Sequence, residues 1–126
     1  MSTESYVLES ERKARDAEQA MLDHHDDDQW LLVREYWMWV DHNLFYELVS
    51  PVEDALQGFI LAHQKHPDQG LQSVVNEQRY HVPVLRLKFY PQLTYLLLKR
   101  SQLQQLLQAR EADHAQRRRE QQLYFP

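Results

Sequence analysis

Only two glycines, Gly58 and Gly70, stand in this chain of 126 residues, and they are isolated. A two-residue hairpin needs positive φ at its central positions, which glycine supplies without steric cost. Glycine scarcity, together with the abundance of Gln, Leu, Glu, Ala and Arg, therefore predicts few hairpins and many helices. The same scarcity excludes a P-loop and a dinucleotide fingerprint, because both use several glycines to bring backbone N–H groups close to phosphate. The expected fold is all-α: a compact bundle of four to five helices with a long, partly projecting C-terminal helix.

An apolar fraction of 43% is enough for a core. A single domain over 1–126 is expected, burying roughly two-thirds of the unfolded chain's surface. There is no cysteine, so disulfides, thiolate nucleophiles and Cys-ligated zinc are all excluded. Met1-Ser-Thr-Glu-Ser-Tyr lacks the basic and apolar regions of a signal peptide. The run Trp30–Val40 is broken by Arg34 and Glu35 and is too short to span a bilayer, which takes about 18 apolar residues or more. These features read as cytoplasmic.

Residues 3–25 read as a charged first helix with a thin apolar seam of Val7, Ala14, Ala17 and Met21. Asp26-Asp27-Asp28 caps an expected second helix over 28–49, where Trp30, Val33, Trp37, Val40, Leu44 and Leu48 form one stripe. Leu32, Tyr36, Trp39 and Tyr46 lie on nearly the opposite face. Ser50-Pro51-Val52-Glu53 predicts a third helix running to His66, and Pro67-Asp68 a short fourth over 69–78. Residues 80–90 are ambiguous: Leu85, Leu87 and Phe89 alternate with Arg86 and Lys88 as in a strand, yet Pro83 could open a helical turn. From Pro91 a long helix should run to Gln121. The core then spans 28–108, and 109–126 is a solvated helix extension and tail.

Charge is divided along the chain. Residues 1–75 carry five basic and fifteen acidic side chains, and residues 76–126 carry nine basic and four acidic. Such a chain either pairs its own halves or offers opposite faces to partners.

The candidate constellations favour structural roles. His24-His25-Asp26-Asp27-Asp28, with His42 or His63, contains metal-ligand residue types, but consecutive helical residues point about 100° apart. His63 and His66 have chelating spacing but lie at a helix end, where His is favoured anyway. Glu111-Ala-Asp-His114 is a single Glu-x-x-His unit where a di-iron site needs two. No nucleophile elbow is present. Neither a metal nor a cofactor is expected, nor is catalysis.

The function expected is a non-catalytic protein-interaction or assembly (adaptor) subunit. Tyr36, Trp39 and Tyr46 would anchor a protein partner, either a second copy or another protein, with Arg110, Arg117 and Arg118 steering it. The alternative is a nucleic-acid-associated helical subunit or regulator that uses the basic half, with Arg86, Lys88, Lys99, Arg100 and Arg119 on phosphates. A metal-binding role at His24/His25 or His63/His66 comes third.

Overall fold

The richest aromatic and β-branched stretch of the chain is extended. A computed structural model describes residues 3–38, 43–68 and 70–124. In chain order the elements are α1 (Thr3–Asp23), β1 (Trp30–Met38), β2 (Asn43–Val52), α2 (Ala55–Lys65), β3 (Leu71–Arg79), β4 (Val82–Phe89), β5 (Leu93–Lys99) and α3 (Arg100–Tyr124). The strands form one antiparallel sheet in the order β2-β1-β5-β4-β3. This overturns the expected all-α bundle: the fold is α+β, with three helices among the described residues.

The two-faced apolar pattern of 28–49 has a simple cause. A central strand covered on both sides shows apolar residues at every position, as a helix apolar all round also would. Leu31, Leu32 and Val33 are consecutive and fully buried, and so are Leu96, Leu97 and Leu98 of β5. One sheet face carries Leu31, Val33, Tyr46, Val84, Leu96 and Leu98 against Met21 and Leu22 of α1 and Leu103, Leu106 and Leu107 of α3. The other carries Leu32, Leu87, Phe89, Tyr95 and Leu97 against Ala62 and Phe59 of α2. Trp, Tyr, Phe and Val favour such a surface because their bulk packs against cross-strand neighbours.

The glycine argument fails at a particular turn. The β3–β4 hairpin closes through Tyr80 and His81, both non-glycine residues with positive φ (48° and 67°). The fourth expected helix is thus β3, and the ambiguous 80–90 segment is β4. The third helix begins later than Ser50 signals: β2 continues through Ser50, Pro51 and Val52. Asp54 caps α2, its carboxylate accepting the Gln57 N–H at 2.8 Å. Pro51 is tolerated because β2 is an edge strand. Gly58 lets α2 lie close on the sheet, since a Cβ there would stand 2.1 Å from Leu97 Cδ2.

The C-terminal helix begins at Arg100, not Pro91, and its seam runs further than apolar residues show. Leu103, Leu106, Leu107, Arg110 and His114 are all buried at three-to-four spacing. The seam of α1 likewise uses Glu11, Ala14, Glu18, Met21 and Leu22, while Ala17 faces solvent. Each helix therefore buries charged side chains that sequence reading assigns to water.

Candidate functional site

The two edges of the sheet are treated differently. At β2 the free edge is closed by a buried ion pair. Arg110 of α3 donates to both carboxylate oxygens of Glu18 of α1, each at 2.7 Å, and both side chains are 2% exposed. Glu18 also accepts the Tyr46 N–H at 3.0 Å, and Arg110 donates to the Leu44 carbonyl at 3.1 Å. Those two backbone groups lie two residues apart on one side of β2, where a further strand would bind. The ion pair takes that strand's place. Burial pushes the Glu18 carboxyl up, against the pull of Arg110. Burial also opposes the charged form of Arg110, but hydrogen bonds to Glu18 and Glu111 outweigh it and hold the guanidinium charged.

At β3 the edge is bare. Gln72, Val74, Val75, Asn76 and Gln78 are exposed, with Val74 at 42% and Val75 at 39%. Cross-strand register puts Val74 beside Leu87 on the α2 side and Val75 beside Arg86 on the α1/α3 side. The stretch Leu71–Asn76 carries no charge and no proline, two of the devices that discourage pairing with another chain. A register shift between Leu71 and Ser73 marks a bulge at one end of the strand.

A cleft of about 710 Å³ opens on the α1/α3 side of the sheet. Register places Glu35, Thr94, Lys88 and Ser73 in one row across β1, β5, β4 and β3. Trp37 follows Glu35 on the same face of β1 and is 66% exposed. Sheet twist draws diagonal corners together over this row. Arg79, further along β3, donates to Glu35 at 2.9 and 3.1 Å, and the Tyr80 hydroxyl hydrogen-bonds the Leu44 backbone. Arg34, Arg79, Arg86 and Lys88 line the cleft, with Glu35 as its carboxylate. Glu47 pairs with Arg34 from outside it, and Glu77 with Arg79 and Arg86.

The expected site residues are dispersed. Tyr46 is core, its hydroxyl donating to Glu35 at 3.1 Å, and its phenol is raised by burial and by Glu35. Tyr36 is half-buried, its ring 6.2 Å from Phe45 and 4.9 Å from the Arg34 guanidinium. Trp39 and His42 lie outside the described residues. Arg110 is buried, Arg117 donates to Asn43 Oδ1 at 2.6 Å and pairs with Asp113, and Arg118 is exposed.

The basic set does not form one stripe either. Arg86 and Lys88 share the cleft, Lys99 sits 5.9 Å over the Trp30 ring, Arg100 pairs with Asp27 at 2.8 Å, and Arg119 is exposed on α3. The charge division closes largely within the chain, since Glu18–Arg110, Glu35–Arg79 and Asp27–Arg100 each join its halves.

Among the histidines, His25 contacts the Met21 carbonyl through Nδ1, His63 lies between Phe59 and Phe89, and His66 hydrogen-bonds the Tyr95 hydroxyl. Among the described residues no group of three His, Asp or Glu side chains is placed to hold a metal ion. No helix there is long and apolar enough to cross a membrane.

Sequence reasoning missed Glu18 because it counts carboxylates as solvated. It missed Val74 and Val75 because it reads them as the face of a short helix. The signal present was the β-branched, uncharged run Ser73-Val74-Val75. Compared with protein-family models, with curated proteins and with solved structures, the chain finds no match in any of the three.

Proposed function

We propose that the protein is a non-catalytic assembly subunit whose docking surface is the open edge of β3. A single contrast carries this reading: a buried ion pair closes the β2 edge, while the β3 edge presents two half-exposed valines and no charge over Leu71–Asn76. An unpaired edge with these properties is a template for strand addition, in which backbone hydrogen bonds supply affinity and alternate side chains supply register.

The occupant that fits best is β3 of a second copy, added antiparallel about a twofold axis. Centred on Val75, such pairing sets Val75 beside its counterpart and Val74 beside Asn76. It places Glu77 opposite Ser73, and Arg79 opposite Leu71, so no like charges meet. The sheet would become continuous across both copies. The aromatic helix face expected from sequence has no part in this, because Leu32, Tyr36 and Tyr46 lie in strands.

Light scattering over a dilution series tests the reading. The wild-type chain is expected to be dimeric. The double variant Val74→Lys/Val75→Lys is expected to be monomeric with an unchanged circular dichroism spectrum, since both positions face solvent. A wild-type chain that stays monomeric at every concentration, or a double variant that still dimerises, overturns it.

A further inference from the structure

We infer that the cleft over Thr94 is a binding site for a small phosphorylated molecule bearing a planar ring, such as a nucleoside diphosphate. This rests on the cleft alone and not on the β3 edge. A volume of about 710 Å³ falls within the ~300–1,000 Å³ of small-molecule sites, far more than a bare anion needs. Four cations line it, and while Glu35, Glu47 and Glu77 pair with the arginines, Lys88 has no such partner among the described residues.

The arginines are already oriented. Glu35 and Glu77 hold Arg79, and Glu47 holds Arg34 through Nε and Nη2 at 3.2 and 2.7 Å. Pairing of this kind fixes a guanidinium in place without cancelling all its donors. Two donors are left for a ligand. Arg86 buries its Nε against Glu77 at 3.3 Å, but its side chain is 22% exposed and no hydrogen bond occupies its Nη nitrogens among the described residues. Lys88, half-buried beside Thr94, has no ion-pair partner among the described residues.

Phosphate suits this pair because it offers several acceptor oxygens to separate donors. One row beyond Lys88, on the side away from Arg86, Trp37 is the most exposed large aromatic ring on that sheet face. Trp is the side chain best suited to stack a planar ring. On β1 it comes two residues after Glu35, about 7 Å along the strand. Lys88 and Arg86 lie two strands away on β4, about 10 Å across the sheet, so an elongated molecule can lay its phosphates over them while its ring reaches Trp37. No glycine-rich phosphate loop is needed, since the donors here are side chains.

The test is isothermal titration of the full chain with adenosine diphosphate, pyrophosphate and adenosine at low ionic strength. Adenosine diphosphate is expected to bind more tightly than either fragment. Lys88→Gln should weaken adenosine diphosphate and pyrophosphate roughly tenfold and leave adenosine unaffected. Trp37→Ala should bring adenosine diphosphate down to the level of pyrophosphate. Both positions make few core contacts, and circular dichroism verifies the fold of each variant. No binding of adenosine diphosphate or pyrophosphate overturns the inference. So does binding that Lys88→Gln leaves unchanged, while equal affinity of adenosine diphosphate and pyrophosphate in the wild type overturns the role of Trp37.

Discussion

Glu18 and Arg110 meet across α1 and α3 through two 2.7 Å hydrogen bonds, and together they satisfy the free backbone edge of β2 at Leu44 and Tyr46. Four polar groups that burial would otherwise orphan are thereby paired with one another. Removing either partner leaves a desolvated charge and reopens the edge. Arg110→Leu is expected to lower stability by about 3–5 kcal/mol. Glu18→Leu in the same chain should restore part of this loss, because the uncompensated charge is gone while the backbone groups stay unpaired. Urea denaturation of both single variants and the double variant gives the coupling. Additive losses would mean that the two residues act independently.

The hairpin at Tyr80 and His81 stores strain that one substitution can release. Both residues hold positive φ, where a side chain's Cβ crowds the backbone at a cost of about 1–2 kcal/mol per residue. Tyr80 cannot be exchanged freely, since its ring packs on the core and its hydroxyl reaches the Leu44 backbone. His81 is exposed and has no such duty. His81→Gly should therefore raise stability by about 0.5–1 kcal/mol, seen as a higher urea midpoint with an unchanged slope. A lower midpoint would show that the His81 side chain contributes something the turn needs.

How much of this was legible in the sequence depends on the element. α1 is readable from its helix formers, and α3 in its second half, because local propensity and i,i+4 pairs point the same way as the tertiary structure. The strands are not. Trp30 to Tyr46 offers spacing compatible with helix and strand alike, and choosing between them turned on glycine content. Tyr80 and His81 show why that is an unsafe guide: tertiary contacts at Tyr80 impose a conformation that local preference opposes. The site suffered the same way. Tyr46 and Trp37 exchanged roles, one becoming core and the other exposed, because a helical period of 3.6 and a strand period of 2 assign them to different faces. The ion pair joining Glu18 to Arg110 was within reach only as a charge division between halves of the chain, not as a pairing of particular residues.

Gly58 is a packing requirement. A Cβ at this position would stand 2.1 Å from Leu97 Cδ2 and 3.2 Å from Leu97 Cγ, and Leu97 is itself 1% exposed at the centre of the sheet. Alanine gains about 1 kcal/mol of intrinsic helix preference over glycine. Forcing α2 away from the sheet or Leu97 into its buried neighbours costs about 1–3 kcal/mol. Gly58→Ala is expected to destabilise the protein by about 1 kcal/mol net. A thermal melt showing equal or greater stability would mean that α2 shifts at little cost.

The pH dependence of stability separates two carboxylates that share Arg110. Burial opposes ionisation of Glu111, but hydrogen bonds from Arg15 and Arg110 outweigh it and hold the carboxyl below the usual range. The unfolded chain therefore takes up this proton more readily than the folded one. The stability Glu111 contributes is complete above the ordinary carboxylate range and is lost as pH falls through the lowered one. Glu18 has the opposite sign. Burial raises it, so the contribution of that group is present at low pH and lost as pH rises through its folded range. Glu111→Gln removes only the first effect. Its stability profile from about pH 3 to about pH 7 should be flatter on the acid side than that of the wild type. The Glu111 side chain is 44% exposed, so solvent screening keeps the contribution below about 1 kcal/mol. Urea midpoints across this range decide the matter: converging curves at low pH assign the acid loss to Glu111, and parallel curves assign it elsewhere.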